Sequence, residues 1–193
     1  MNSLDQNKAL IIEHEQLFAT RLASALIPKP EPELWMILIP IFFVFFFFRL
    51  NKVREGRQEF IRHYLITRRA TLDEACDAIE EKREVEVDAI CELTLPPKET
   101  RSVYDEWLQE LSKHYCKLAS VEGGSFKELV QQVYYSRKHF QLFLNRLQHF
   151  EHNFNLRLQN LPDFNTQAFM ETARSMEEHS KRMRKDLAEN LFS

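Results

Sequence analysis

The side chains best suited to chemistry in this 193-residue chain are seven histidines and three cysteines. His149 and His152 come closest to a ligand pair. In "QHFEHNF" they stand three residues apart, so a helix puts both on one face with Glu151 adjacent, as metal or haem ligation would require. The plainer reading, two surface histidines on a polar face, is the one adopted, and no metal or cofactor is assigned. His63 lies about fifteen residues past the apolar run described below, too far to ligate a haem inside a membrane. A di-iron bundle needs repeated Glu-x-x-His pairs, and no histidine here has Glu three residues before it.

Cys76, Cys91 and Cys116 show neither C-x-x-C nor zinc-type spacing. They read as free thiols acting as small apolar residues, which suits a reducing compartment. P-loop, dinucleotide-binding, nucleophile-elbow and zincin motifs are absent, and three glycines cannot build a phosphate cradle. The net charge of −3 gives no pull toward nucleic acid. The basic residues of "SKRMRKDL" are interleaved with acids, and cations in a last helical turn already suit its dipole. No enzyme emerges from these side chains, and no nucleic-acid partner.

The elements that carry them are helical. Gly is scarce (3), the seven prolines are clustered, and long windows run uninterrupted, which disfavours sheets and suits an all-α fold. A 28% charged fraction excludes a polytopic membrane protein.

One segment stands apart. Residues 34 to 48, "LWMILIPIFFVFFFF", are continuously apolar. Leu34, Trp35, Met36, Pro40, Phe42, Phe43, Phe45, Phe46, Phe47 and Phe48 are the expected membrane anchor. A helix over the run spans about 22 Å, and over 33–50 about 27 Å, short of a hydrocarbon core of roughly 30 Å. Snorkelling Arg49 and Lys52 narrow the gap. Pro40 removes a backbone donor and predicts a kink.

Three competitors are weaker. A buried soluble spine must be enclosed on every side, and the other helices have only one apolar stripe each. A signal peptide lacks a small-x-small site after the run. A re-entrant hairpin turning at Pro40 lacks a neighbouring Gly or Ser. The expectation is one membrane-spanning helix, kinked at Pro40. Its flanks orient it: residues 1 to 33 carry three basic side chains, residues 49 to 69 carry seven. Arg49, Lys52, Arg54 and Arg57 lead that second group, as topology determinants or lipid-headgroup contacts. That bias predicts an N-terminus outside the inner membrane and a cytoplasmic C-terminal part.

The remaining organisation follows from periodicity. Residues 1–30 form an amphipathic helix and Pro-rich linker. Its face (Leu10, Ile11, His14, Leu17, Phe18, Leu22, Ala25, Leu26) suits a partner protein better than a membrane surface. Residues 31–50 are the span. Residues 51–94 hold a basic juxtamembrane helix, then an acidic helix opened by a capping box, "TLDE", at Thr71 to Glu74. The acidic helix carries nine acids against two bases, a solvated face or a site for a basic partner.

Residues 98–193 form three helices, 98–122, 125–160 and 165–192. "SFKE" caps the second, in which Val133, Phe140, Leu147 and Phe154 fall seven apart. Leu144 and Leu158 sit between them, with Arg137 and Glu151 interrupting. The short "LPDFNT" link makes the last two helices antiparallel neighbours, a coiled-coil-like hairpin within a helical bundle.

The expected function is therefore non-catalytic. It is a membrane-anchored accessory or scaffold subunit, contacting the lipid bilayer and other subunits, a further transmembrane helix among them. Two alternatives are a haem- or metal-carrying electron-transfer subunit and a self-assembling coiled-coil membrane protein, a homo-oligomer.

Overall fold

A computed structural model describes residues 3–26 and 56–193. Among them the regular structure is seven α-helices and two short 3₁₀ turns, with no strand. The helices are α1 (Ser3–Leu26), α2 (Gly56–Glu81), α3 (Val87–Thr94), α4 (Arg101–Ala119), α5 (Phe126–Tyr134), α6 (Arg137–Gln159) and α7 (Gln167–Leu191). The 3₁₀ turns are Lys98–Thr100 and Pro162–Phe164.

The apolar stripes position the long helices. On α4, Tyr104, Trp107, Leu108, Leu111, Tyr115 and Leu118 are all buried, at the three- and four-residue spacing of one helix face. α6 buries Phe140, Leu144, Leu147, Phe154 and Leu158 against it. α7 adds Phe169, Ala173, Met176 and Leu191, with Met183 and Leu187 half-buried. Caps set several starts. Ser125 Oγ accepts from Glu128 N at 3.3 Å while the Glu128 carboxylate accepts from Gly124 N at 2.8 Å. Thr166 Oγ1 accepts from Phe169 N at 3.2 Å and opens α7.

Three expected boundaries are corrected. The helix expected over 125–160 is two helices, because Tyr135 adopts the left-handed region at φ 55° and ends α5. Ser136 then restarts the chain, its Oγ accepting from His139 N. "TLDE" is not a cap. Thr71 is fully buried in the middle of α2, and its hydroxyl donates to the Thr67 carbonyl at 2.8 Å. Nor does the acidic helix run on toward residue 94. It stops at Glu81, with Lys82 at φ 55°, and the Arg83 guanidinium braces the turn against Glu74 (2.5 Å) and Glu81 (2.6 Å).

The largest departure is α1. It begins at Ser3 and packs into the bundle of its own chain, so the expected partner is intramolecular. Ile11, Ala19, Leu22 and Ala23 are sealed completely, while Leu17, expected on the packed face, is 53% exposed. Burying Leu4, Ile11, Phe18, Leu22 and Leu26 contributes on the order of 10 kcal/mol as an upper bound.

α1 and α2 are antiparallel. Lys8 pairs with Asp73 (2.8 Å), Glu15 with Arg68 (3.1 Å), and the Phe18 ring meets Tyr64 (6.1 Å between centroids). Partner numbers fall as α1 numbers rise, so Leu26 and Gly56 stand at the same end of the bundle. That end is closed by an apolar cluster of Phe18, Leu22, Leu26, Phe60, Tyr64, Leu65 and Met176.

This packing bears on the expected topology. A single pass with the N-terminal helix on one side and the bundle on the other would require α1 to leave the core. The expected anchor residues Leu34 to Phe48, and Arg49, Lys52 and Arg54, lie outside the described residues. Arg57 is half-buried in the first turn of α2. No helix among the described residues is long and apolar enough to cross a membrane.

Candidate functional site

Four charged side chains converge in the middle of the bundle, one from each of four helices. α1 supplies Glu15, between Ile11 and Phe18 on its buried stripe. α2 supplies Arg68, four residues after Tyr64. α6 supplies Glu151, between Leu147 and Phe154, and α7 supplies Arg184. Each takes a position that the apolar period would give to a hydrophobe, so folding the helices carries the charges inward. All four are less than a tenth exposed.

They satisfy one another. Arg184 holds Glu151 in a bidentate fork, Nη1 to Oε2 at 2.5 Å and Nη2 to Oε1 at 2.7 Å. Arg68 lies between the two acids, donating to Glu15 Oε1 at 3.1 Å and standing 3.5 Å from Glu151 Oε1. From α4, the Tyr115 hydroxyl donates to Glu15 Oε1 at 2.7 Å. Aromatic faces close the shell. Arg68 lies 4.5 Å over Tyr64 and 5.9 Å over Trp107, and Arg184 lies 5.8 Å over Phe18. Five helices are thus tied at one level.

The electrostatics follow from burial and pairing. Burial opposes the Arg68 charge, but Glu15 and the surrounding oxygens of Tyr64, Tyr115 and Glu151 more than offset it and hold the guanidinium above its ordinary range. For Arg184 burial is likewise outweighed, by Glu151. Burial pushes the Tyr64 and Tyr115 hydroxyls upward, so both stay protonated near neutral pH and can donate hydrogen bonds. A buried pair of this kind adds little stability over an apolar replacement, but losing one member strands a charge. What it provides is register: the forks close only when α1, α2, α6 and α7 stand at one height.

Beside the cluster is a cavity of about 40 Å³ lined in part by His14, Glu15, Arg68, His114 and Phe143. Water fits such a space, whereas drug-sized organic ligands occupy roughly 300 Å³ or more. His114 Nδ1 and the Tyr134 hydroxyl share a hydrogen bond at 2.7 Å, and the ring stacks 4.1 Å from Phe143. Burial, then the Arg68 charge, lowers its pKa well below 6.5. His14 stacks on Phe126 at 3.7 Å and is also lowered, chiefly by burial. Both rings are therefore neutral at pH 7, aromatic linings rather than cations.

His149 and His152 take separate partners. Both are exposed on α6. His152 Nδ1 lies 3.1 Å from Glu177 of α7, and His149 Nε2 lies 3.1 Å from Asn153 of its own helix. Among the described residues no three His, Cys, Asp or Glu side chains gather as a metal site. The cysteines are free. Burial pushes Cys76 up to about 11 and Cys91, which donates to Asp105 at 3.2 Å, up to about 12, so neither is a thiolate at neutral pH.

Sequence reasoning missed the cluster. The signal was a charge standing inside an apolar stripe, and Glu151 was read as an interruption of a heptad rather than as a partner. The chain matches no known family, no curated protein and no solved structure in comparisons with each.

Proposed function

We propose that the protein is a non-catalytic anchoring subunit: its apolar segment enters one leaflet as a hairpin, and its bundle stands on that membrane surface to dock other proteins. The observation that carries this reading is the common end of Leu26 and Gly56, held by α1 packing and the buried charge cluster. A segment that departs and returns at one end of a bundle suits a dip into one leaflet, not a crossing.

The lengths agree. Six apolar residues precede Pro40 and eight follow it. As helical arms they reach about 9 Å and about 12 Å, against roughly 15 Å for half of a hydrocarbon core. Pro40 falls between those two arms in the sequence, where a hairpin needs its turn. Backbone groups freed at such a turn need protein or water around them at membrane depth, which favours a neighbouring transmembrane helix as a partner. The basic residues from Arg49 onward then meet the headgroups, and the free thiols agree with a cytoplasmic bundle.

Vesicle flotation with the full chain tests this. The protein floats with anionic lipid vesicles, and the variant Phe45→Asp/Phe46→Asp stays at the bottom of the gradient with its helical circular dichroism unchanged. Wild-type protein that stays at the bottom refutes the anchor.

A further inference from the structure

We propose that copies of this chain associate head to tail, the acidic end of α2 on one copy entering the basic groove between α6 and α7 of the next. The groove has a volume of about 460 Å³, and Arg137, Lys138, Lys181 and Lys185 line it with a single acid, Glu189. Those four cations are exposed, and Leu142, 51% exposed, supplies an apolar rim. The complementary surface is Asp77, Glu80, Glu81 and Glu84, all exposed at and just past the end of α2. One is a concave cationic trough, the other a helix end where these four acids outnumber Lys82 and Arg83, and Arg83 is already held by Glu74 and Glu81.

The fold presents the two surfaces so that they can meet. Among the long helices α2 packs on α1 and α4, α1 packs on α7, and α4 packs on α6, so the α6–α7 gap faces away from α2. The two surfaces therefore lie on opposite flanks, where one copy cannot join them to each other. Their heights match. α2 runs parallel to α4, with Thr67 beside Tyr104 (3.2 Å) and Ala75 beside Cys116 (4.0 Å). α6 runs antiparallel to α4, with Phe154 beside Tyr104 (5.3 Å) and Phe143 beside His114 (4.1 Å). Following both registers, Glu80 is level with Arg137 and Lys138, at the end of the bundle remote from Leu26 and Gly56.

Copies with parallel axes thus bring groove and acidic end together by sideways translation. The parallel alignment rests on the membrane anchoring proposed above; the charge match does not. Such a contact is heterologous, since each copy keeps one unfilled groove and one unfilled acidic end, and it builds rows or rings rather than closed dimers. Exposed ion pairs are individually weak and salt-sensitive, so the association is favoured where copies are concentrated on a surface.

Zero-length carbodiimide cross-linking of the full chain, in vesicles and separately in detergent, tests the proposal with isotopically labelled and unlabelled copies mixed. The expected products join Lys138 of one copy to Glu80 or Glu84 of another, and they fall about tenfold when salt is raised to about 0.5 M. Arg137→Glu/Lys138→Glu and Glu80→Lys/Glu84→Lys each reduce the mixed-isotope product by about tenfold. All four substitutions in one chain restore it. The proposal is overturned if mixed-isotope links are absent, if neither charge reversal changes them, or if the four-substitution chain keeps its helicity without regaining them. Flotation separates the two readings: a chain that cross-links this way in detergent without floating retains the pairing and loses the anchor, and the converse result removes only the pairing.

Discussion

Arg184 and Arg174 lie ten residues apart on α7, and each faces a glutamate, yet they play opposite parts. Arg184 is sealed in the interior, forked onto Glu151 from another helix. Arg174 lies on the surface, with Glu178 one turn away at 3.1 Å and both side chains mostly exposed. The exposed pair spans a single helix and is screened by water and salt, so it says nothing about tertiary structure. The buried fork has meaning only between helices, and through Arg68 it reaches Glu15 on α1. The same chemistry thus marks a solvated face in one place and fixes the position of an entire helix in the other.

That contrast can be broken first at the interior. Arg184→Met takes the bidentate partner from the Glu151 carboxylate, leaving it only Arg68 at 3.5 Å, and lowers unfolding free energy by about 3 kcal/mol in urea titrations. Arg184→Met with Glu151→Leu recovers much of that loss, because no charge is then left without its partner. A double variant as unstable as the single one would show that the cluster contributes more than mutual compensation.

A smaller effect tests the aromatic lining. The unfolded chain takes up protons on His14, His63 and His114 that burial keeps off the folded state. Stability is therefore fully present above pH 6.5 and declines as pH falls below it, by at most about 1.4 kcal/mol per pH unit for each group. His114→Phe flattens that decline in a series of urea titrations, and an unchanged slope would remove His114 from the account. Smallest of all, Arg174→Ala leaves the urea midpoint within error of wild type; a clear shift would erase the distinction between the two arginines.

The same contrast explains what could be read from the sequence. The α4 stripe was legible because its six large residues keep helical spacing without a polar intruder. On α1 the helix and most of its apolar face were legible but its docking in the bundle was not, because Asn7 and Glu15 occupy buried positions that composition assigns to water. Asn7 is satisfied only across the fold, its Nδ2 donating to the carbonyls of Ala119 (3.0 Å) and Val121 (2.5 Å). The break at Tyr135 was hidden for another reason: the seven-residue repeat from Val133 through Phe154 continues across it, while the left-handed turn leaves no mark on that period. Thr71 shows the reverse error, a capping pattern whose hydroxyl instead bonds back along a continuous helix.

The central claim is that α1 belongs to the bundle, so that residues on either side of the apolar segment share one side of any membrane it enters. The most direct measurement is labelling of Ser3→Cys and Ser193→Cys, each alone, with an impermeant maleimide in sealed inverted vesicles. Both positions are exposed, whereas Cys76 and Cys91 are buried and Cys116 is half-buried. With the parent chain as the control for those thiols, the account predicts that both introduced cysteines react before the vesicles are opened. Reaction of one before opening and the other only after it would contradict the account and return the chain to a single pass.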